Sequence, residues 1–142
     1  MSEHIPDEYR PMPGGFDLKP FHRLVRRLRD PENGCHWDRS RTLMEMGKTL
    51  REEAEEAADA LAAGDAGHQC EELGDVLLNV MLATVIAEEE GRFAWQDVVE
   101  GISAKLVRRH PHVFGDRHAA SPEEAMDMFL AAKADERKKK GQ

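Results

Sequence analysis

The stretch "CEELGDVLLNVMLA", residues 70–83, is nearly all apolar, yet it carries Glu72, Asp75 and Asn79. On a helix, where successive residues turn by roughly 100°, these three side chains fall in a sector of about 60°. Leucine, valine and methionine occupy most of the remaining circumference. Such a helix belongs in the middle of a helical bundle. Because an unpaired buried carboxylate is costly, the polar stripe must face a group that compensates its charge.

The preceding segment, "LREEAEEAADAL" (residues 50–61), supplies a second pair of acids, Glu53 and Glu56, at the same i, i+3 spacing. Gly64 and Gly67 predict a short connection, which makes the two helices antiparallel and turns the acidic pairs toward each other. Four adjacent carboxylates need a cation, and hard oxygen ligands favour Mg²⁺, with Mn²⁺ as a substitute. The predicted apolar stripe of this helix consists of Leu50, Ala54, Ala57, Ala58 and Leu61.

Apolar residues recur with helical spacing along the chain, and no segment alternates like a strand. The sequence therefore predicts an all-α fold, an antiparallel bundle of about four to five helices. The expected helices are an amphipathic segment around 21–28, segments at about 43–63, 68–90 and 95–109, and a fifth that starts at Ser121.

Turn-forming residues and charge divide the chain further. The segment "PENGCHWDRSRT" (31–42) is predicted to be a loop. Residues 1–16, rich in Pro and Gly, are expected to form a flexible arm, residues 17–134 the helical domain, and residues 135–142 a basic tail that frays.

Composition excludes several classes of function. The 142 residues carry a formal net charge of −8, which argues against a nucleic-acid polymer as partner. No apolar run reaches membrane length and the first residues lack the apolar core of a signal peptide, so we expect a soluble cytoplasmic protein without a membrane partner. Cys35 and Cys70 are expected to be free thiols. A di-iron centre is disfavoured because no glutamate is followed at i+3 by histidine.

The acidic pairs resemble the signature of one enzyme family. Glu53-x-x-Glu56, followed after fifteen residues by "ELGD" at 72–75, is similar to the motif of the MazG nucleotide pyrophosphohydrolases. The flanking stretches that also resemble this family are "DPENGCHWD" (30–38), "AEEEGRF" (87–93) and "KLVRRHPHVFGD" (105–116). The resemblance implies an all-α fold, self-association and Mg²⁺-dependent cleavage of nucleoside or deoxynucleoside triphosphates between the α and β phosphates. The products would be the monophosphate and pyrophosphate.

The resemblance also implies a role for individual residues. Lys105 and Arg109, at i, i+4 on one helix face, would bind the substrate phosphates and stabilise charge on the leaving pyrophosphate. Glu52, or the metal ligand Glu53, would act as the base that activates water. The metal-binding acids would be Glu53, Glu56, Glu72 and Asp75.

Three positions depart from the family pattern. His36 stands where the loop usually has proline, and Phe129 stands where a tryptophan often precedes the lysine at Lys133. Asn79 replaces a glutamine, and its shorter amide would reach a metal-bound water. Trp37 and Phe93 are the candidate aromatic side chains for stacking on the base, and packing in the core or the loop is the favoured interpretation for each.

Self-association and rival functions complete the predictions. A helix that is apolar on nearly all sides needs more cover than one small subunit provides, so a homodimer or a dimer of dimers is expected to complete the core. The alternatives are a dUTPase- or dCTPase-like hydrolase, a phosphoribosyl-ATP pyrophosphohydrolase, and a non-catalytic helical module that binds nucleotide. The "RRHPHVFGD" stretch (108–116) favours the MazG branch, and the complete acidic pairs argue against lost chemistry.

Overall fold

The structure, a computed structural model, describes residues 17–141. In this part of the chain all regular structure is helical, which confirms the all-α prediction. The helices are α1 (Lys19–Leu28), α2 (His36–Ser40), α3 (Leu43–Ala63), α4 (Ala66–Glu89), α5 (Trp95–Arg109), α6 (Pro111–Phe114) and α7 (Pro122–Lys139). None of these helices is long and apolar enough to cross a membrane.

The chain divides into two compact units, one ending at Trp95 and one beginning at Gln96. The predicted arm, residues 1–16, lies outside the described residues. Helix α7 runs to Lys139, so most of the segment predicted to be a fraying tail is helical.

Helix α1 has a proline in its first turn and packs its apolar face on α4. Pro20 suits the first turn because its missing N–H would have no partner there. Val25 is fully buried, and Phe21 packs against the same cluster. Glu88 of α4 forms hydrogen bonds with two other segments at this end. Its Oε1 lies 2.7 Å from His22 Nε2, and its Oε2 accepts from the backbone N–H of Trp95 at 3.2 Å.

The segment predicted to be only a loop contains α2, a single helical turn. It forms because Arg29 satisfies the carbonyls at its end: Arg29 Nη1 donates to the carbonyl oxygens of Asp38 at 2.6 Å and Arg41 at 2.8 Å. The turn before it is tight. A Cβ on Gly34 would lie 2.5 Å from the carbonyl oxygen of Leu28 and 2.6 Å from that of Asp30, so only glycine fits.

Helices α3 and α4 form the antiparallel hairpin that the sequence predicts. Thr42 caps α3 by accepting from the N–H of Glu45 at 3.3 Å, and Gly64 ends it with φ of 87°, a left-handed conformation that favours glycine. Asp65 then caps α4 by accepting from the N–H of His68 at 2.8 Å. The predicted bounds 43–63 are confirmed, and α4 begins two residues earlier than expected.

The face of α3 that meets α4 differs from the predicted stripe. Ala54, Ala58 and Leu61 are exposed, whereas Met46 and Ala60 are buried. The buried positions fit a 3–4 spacing that passes through Glu53, and this spacing is the one by which antiparallel helices pack. The resulting contact row of α3 is Met46, Leu50, Glu53, Ala57 and Ala60.

The hydrophobic core lies along the second half of α4. Its largest fully buried side chains are Met81, Ile86, Val25 and Val85. The first half of α4 is apolar but exposed, since Leu73 is 50% and Leu77 38% accessible. The subunit's own helices therefore cover α4 only along its second half, where its buried residues lie.

The second unit contains most of α5 together with α6 and α7. Ser121 caps α7 by accepting from the N–H of Glu124 at 3.1 Å, and Glu124 Oε2 accepts from the N–H of Ala120 at 2.8 Å. Glu124 thus returns a hydrogen bond to the residue before the N-cap, in a variant of the capping box. Arg108 and Arg109 near the end of α5 both pair with Glu136 of α7.

Candidate functional site

Three of the predicted acids meet where α3 packs on α4. Glu53 and Glu56 of α3 and Glu72 of α4 each offer a carboxylate oxygen, and the three oxygens lie within 4.8 Å of one another. Glu53 and Glu72 are half-buried, and Glu56 is exposed. The i, i+3 spacing on each helix and the short connection between them produce this arrangement. We call these three residues the acid cluster.

Asp75 lies beside the acid cluster but outside its closest set. It is half-buried, one turn after Glu72 on α4. Its charge is near enough to raise the pKa of both Glu53 and Glu72. The fourth predicted acid is therefore electrostatically coupled to Glu53 and Glu72.

The acid cluster is energetically unfavourable without a cation. Burial, followed by the nearby charges of Glu56, Asp75 and Glu72, raises the pKa of Glu53 above its usual range. Burial and then the charges of Asp75 and Glu56 raise the pKa of Glu72. Oε2 of Glu53 and Oε2 of Glu72 are buried without a hydrogen-bond partner in residues 17–141. A hard divalent cation would satisfy both oxygens, so these side chains fit such an ion.

His68 is a neighbour of the acid cluster that the sequence reasoning missed. Its Nδ1 lies 3.7 Å from Oε1 of Glu72, one helical turn away on α4, and a protonated imidazole there would partly counter the rise in the pKa of Glu72. The i, i+4 spacing was the available signal.

A cavity of about 310 Å³ opens beside the acid cluster and brings together four predicted site residues, Trp37, Glu52, Glu53 and Asn79. The remaining lining side chains are Asp38, Arg41, Met46, Thr49, Leu78 and Leu82. Trp37 comes from α2, the glutamates from α3 and Asn79 from α4. The cavity therefore has an acidic wall, an amide and an aromatic ring.

These residues differ in how firmly they are held. Trp37 is 65% exposed. Glu52 is exposed and lies 3.8 Å from the ammonium of Lys48 in an i, i+4 pair. Asn79 is buried, and its Nδ2 donates to the carbonyl oxygen of Asp75 at 2.7 Å. That bond orients the amide on its own helix. Phe93, the other predicted stacking residue, is exposed in the connection between α4 and α5.

Arg41 is the second residue that the sequence reasoning missed. Its guanidinium lies 5.1 Å from the centroid of the Trp37 ring and donates from Nη2 to Oγ1 of Thr49. Its side chain is only 11% exposed. Its place four residues after Trp37, at the end of the α2 turn, was the available signal for contact between these two side chains.

The two basic residues predicted to bind phosphate belong to the second unit. Lys105 is exposed on α5, one turn before Arg109. Arg109 donates from Nε at 3.1 Å and from Nη2 at 2.9 Å to Oε2 of Glu136, and its guanidinium lies 5.5 Å from the centroid of the Phe129 ring. Hydrogen bonds from Arg109 and Arg108 lower the pKa of Glu136 to about 2.

Comparison with known proteins gives the same family as the motifs. Residues 41–114, just over half of the chain, match the MazG nucleotide pyrophosphohydrolase domain. A protein of Escherichia coli named nucleoside triphosphate pyrophosphohydrolase is 43% identical over 119 residues, which are 84% of this chain and 45% of that protein. Nucleoside triphosphate pyrophosphohydrolase/pyrophosphatase MazG of Thermotoga maritima is 42% identical over 89% of this chain and 48% of its own length. The chain thus spans about half the length of these curated relatives.

The fold has a counterpart among solved structures. The crystal structure of a MazG-related protein from Thermotoga maritima aligns with a TM-score of 0.65, covering 79% of this chain and 95% of that one at 24% identity. This likeness concerns the helical architecture. Together with the match over residues 41–114, it leads to one conclusion: the chain belongs to the MazG nucleotide pyrophosphohydrolase family.

Proposed function

We propose that this chain hydrolyses nucleoside or deoxynucleoside triphosphates at the bond between the α and β phosphates, releasing the monophosphate and pyrophosphate. The observation that carries the proposal is the acid cluster, with two buried oxygens that lack partners in the described residues, next to a cavity of about 310 Å³. Membership of the family supports the reaction class, and the printed names of the relatives support the substrate class.

We infer that Mg²⁺, which Mn²⁺ could replace, is the cofactor. Glu53, Glu56 and Glu72 would hold it, with Asp75 as a further ligand or as an acceptor for its water. The donor set is all carboxylate, which suits a hard cation. When bound, the ion would neutralise the acid cluster and supply the positive charge that polarises the phosphoryl group.

The side chains around the cavity would then divide the remaining tasks. Glu52 is exposed at the cavity wall, where a carboxylate can take a proton from the attacking water; Glu53 is the alternative base. Asn79 would orient a water or a phosphate oxygen through its amide. The open face of Trp37 would stack on the nucleobase.

Lys105 and Arg109 would bind the phosphates of the leaving group. Arg109 uses Nε and Nη2 for Glu136, and within residues 17–141 its Nη1 donates no hydrogen bond. Nη1 would therefore remain for a phosphate oxygen. The ion pair with Glu136 holds the planar guanidinium in one orientation and so lowers the entropy cost of binding.

We also propose that the protein works as a homodimer or a dimer of dimers. Support comes from the exposed apolar side chains on the hairpin, Leu61, Leu73 and Leu77. A second copy would cover them and complete the core. Sedimentation of the wild type and of L73D would test this, with dissociation of L73D expected; a folded and active wild-type monomer would contradict it.

The decisive experiment measures pyrophosphate release from a panel of nucleotides with Mg²⁺. Asp75→Asn should keep the helical circular dichroism and lose at least about a hundredfold in rate, because one ligand charge is missing. Glu55→Gln, an exposed neighbour on α3, is the matched control and should stay near wild type. Turnover restricted to dUTP, dCTP or phosphoribosyl-ATP would favour those hydrolases instead. Nucleotide binding without turnover would favour a non-catalytic module.

A further inference from the structure

We propose that Arg41 forms an anion-binding subsite for a phosphate group of the nucleotide, within the same unit as the acid cluster. The proposal rests on the proposed function for the identity of its ligand. It adds to the first unit a phosphate-binding cation that neither the motifs nor the relatives' names assign.

The first observation is that the charge of Arg41 is poorly compensated. Within residues 17–141, the only carboxylate within 4.0 Å of its guanidinium belongs to Glu45, at 3.9 Å from Nη1, which is too long for a hydrogen bond. Glu45 is half exposed. An arginine whose side chain is only 11% exposed is expected to have a closer anionic partner.

The second observation is that Arg41 has free donors. Arginine carries five N–H groups, and this one uses Nη2 for Oγ1 of Thr49 and for a 3.8 Å contact with the sulfur of Met46. Nε and Nη1 donate no hydrogen bond to the described part of the chain. Since Arg41 lines the cavity, a bound group with several acceptor oxygens can reach it there. Phosphate has such oxygens and matches the guanidinium geometry.

The third observation is that Arg41 is held in place before any ligand arrives. Thr49 fixes one end of the guanidinium, and the ring of Trp37 lies against its face at 5.1 Å. Its backbone carbonyl accepts from Arg29 Nη1 at 2.8 Å. Thr49 and Glu53 lie on the same helix, so α3 links the anion subsite to the acid cluster. Cation and acids then border one cavity, which suits a substrate that carries phosphates and a divalent ion.

Trp37 provides a direct readout of this subsite. The chain has two tryptophans, so Trp95→Phe leaves Trp37 as the single indole. In that background, inorganic triphosphate without divalent metal should change the Trp37 fluorescence saturably, because the anion binds the guanidinium stacked on the ring. Arg41→Gln should weaken the binding by about tenfold or more, as expected for a charged hydrogen bond. Arg41→Lys should bind with intermediate affinity.

Two controls separate binding from folding. Arg51→Gln removes an exposed arginine of α3 that does not line the cavity, and its affinity should equal that of the parent. Thr49→Val removes only the hydroxyl that holds the guanidinium and should weaken binding more mildly than Arg41→Gln. It serves as the test if the Arg41 variants unfold. Equal affinity of Arg41→Gln, Thr49→Val and the parent would overturn the proposal, and so would an Arg41-dependent signal with uncharged nucleosides but not with triphosphate.

Kinetics distinguish this inference from the proposed function. If the enzyme releases pyrophosphate, Arg41→Gln should raise KM about tenfold with a much smaller change in kcat, because the contact exists before the transition state. Pyrophosphate release with unchanged KM in Arg41→Gln would reject the subsite and leave the function standing. Arg41-dependent triphosphate binding without turnover of any nucleotide would reject the function and leave the subsite standing.

Discussion

Oxygens of Glu53 and Glu72 lie within 4.8 Å of each other across the contact between α3 and α4, and each residue buries one oxygen without a partner in the described residues. Two like charges in this position oppose the packing of the very helices that carry them. Burial and this repulsion also favour the protonated form of each carboxyl, and they therefore raise its pKa. The acid cluster therefore destabilises the hairpin, and a divalent cation bound there would restore that stability.

Metal binding should consequently stabilise the fold. With Mg²⁺ at about 100 times its dissociation constant, the wild type should gain about 2.7 kcal/mol in free energy of unfolding. Glu53→Gln should unfold at a temperature equal to or above that of the wild type in EDTA, and should lose most of the response to Mg²⁺. Glu55→Gln should respond like the wild type. Thermal unfolding with and without Mg²⁺ measures both effects; an Mg²⁺ response retained in Glu53→Gln would argue against the site.

The ion pair of Glu136 predicts an acid-sensitive second unit. Its pKa is about 2 in the folded protein and 4.5 for an ordinary glutamate, so the unfolded state binds the proton first as the pH falls. The stabilisation that this ion pair contributes is fully present above a pH of about 4.5 and is lost as the pH falls toward about 2. The protection of α7 amides against hydrogen exchange, relative to unstructured amides at the same pH, should fall between these pH values in the wild type.

Glu136→Gln should remove this part of the pH dependence, because the amide does not titrate. Glu123→Gln, about 20 Å away along the same helix by the rise per residue, is the control and should exchange like the wild type. An equally steep acid response in Glu136→Gln would show that other groups control α7.

The core prediction compares two methionines with opposite environments. Met81 is fully buried in the core, whereas Met44 is 90% exposed on the first turn of α3. Met81→Ala should cost about 2–5 kcal/mol, because the cavity it leaves cannot collapse completely. Met44→Ala should change stability by less than about 0.5 kcal/mol. Urea unfolding followed by the fluorescence of Trp95, which packs against this core, measures the difference.

Two glycines provide a matched test of the loop that carries Trp37 and Arg41. Gly34→Ala places a Cβ within 2.7 Å of three backbone atoms, so the loop must shift, and we expect a loss of about 1–3 kcal/mol. Gly47→Ala, inside α3 with no atom within 4 Å of the added Cβ, should instead gain about 0.5–1 kcal/mol. Since Gly34 immediately precedes Cys35, the N-cap residue of α2, Gly34→Ala should also weaken triphosphate binding. A Gly34→Ala protein as stable as the wild type would contradict the tight turn.

Much of the helical architecture could be predicted from local signals. Thr42, Gly64 and Ser121 cap or end their helices through hydrogen bonds or backbone conformations that involve residues at most four positions away. The helix period and a short connection were enough to predict that the acids at i, i+3 spacing lie together, and three of the four do. Their role as metal ligands remains a prediction.

Contacts between distant segments decided the rest. The apolar pattern of α3 predicted that Ala54 and Leu61 lie in the contact face, yet packing on α4 buries Met46 and Ala60. Helices pack along a row of residues spaced alternately three and four apart, and α3 has alanines on more than one such row, so its sequence does not specify which row is buried. Helix α2 exists because Arg29, outside it, binds its carbonyls. Arg41 reaches the cavity only once α2 and α3 are folded around it. The sequence by itself determined where most helices begin and end and which acids share a face, since these depend on hydrogen bonds within a turn. Only the tertiary structure decided which side chains are desolvated, since burial depends on surfaces contributed by residues far apart in the chain.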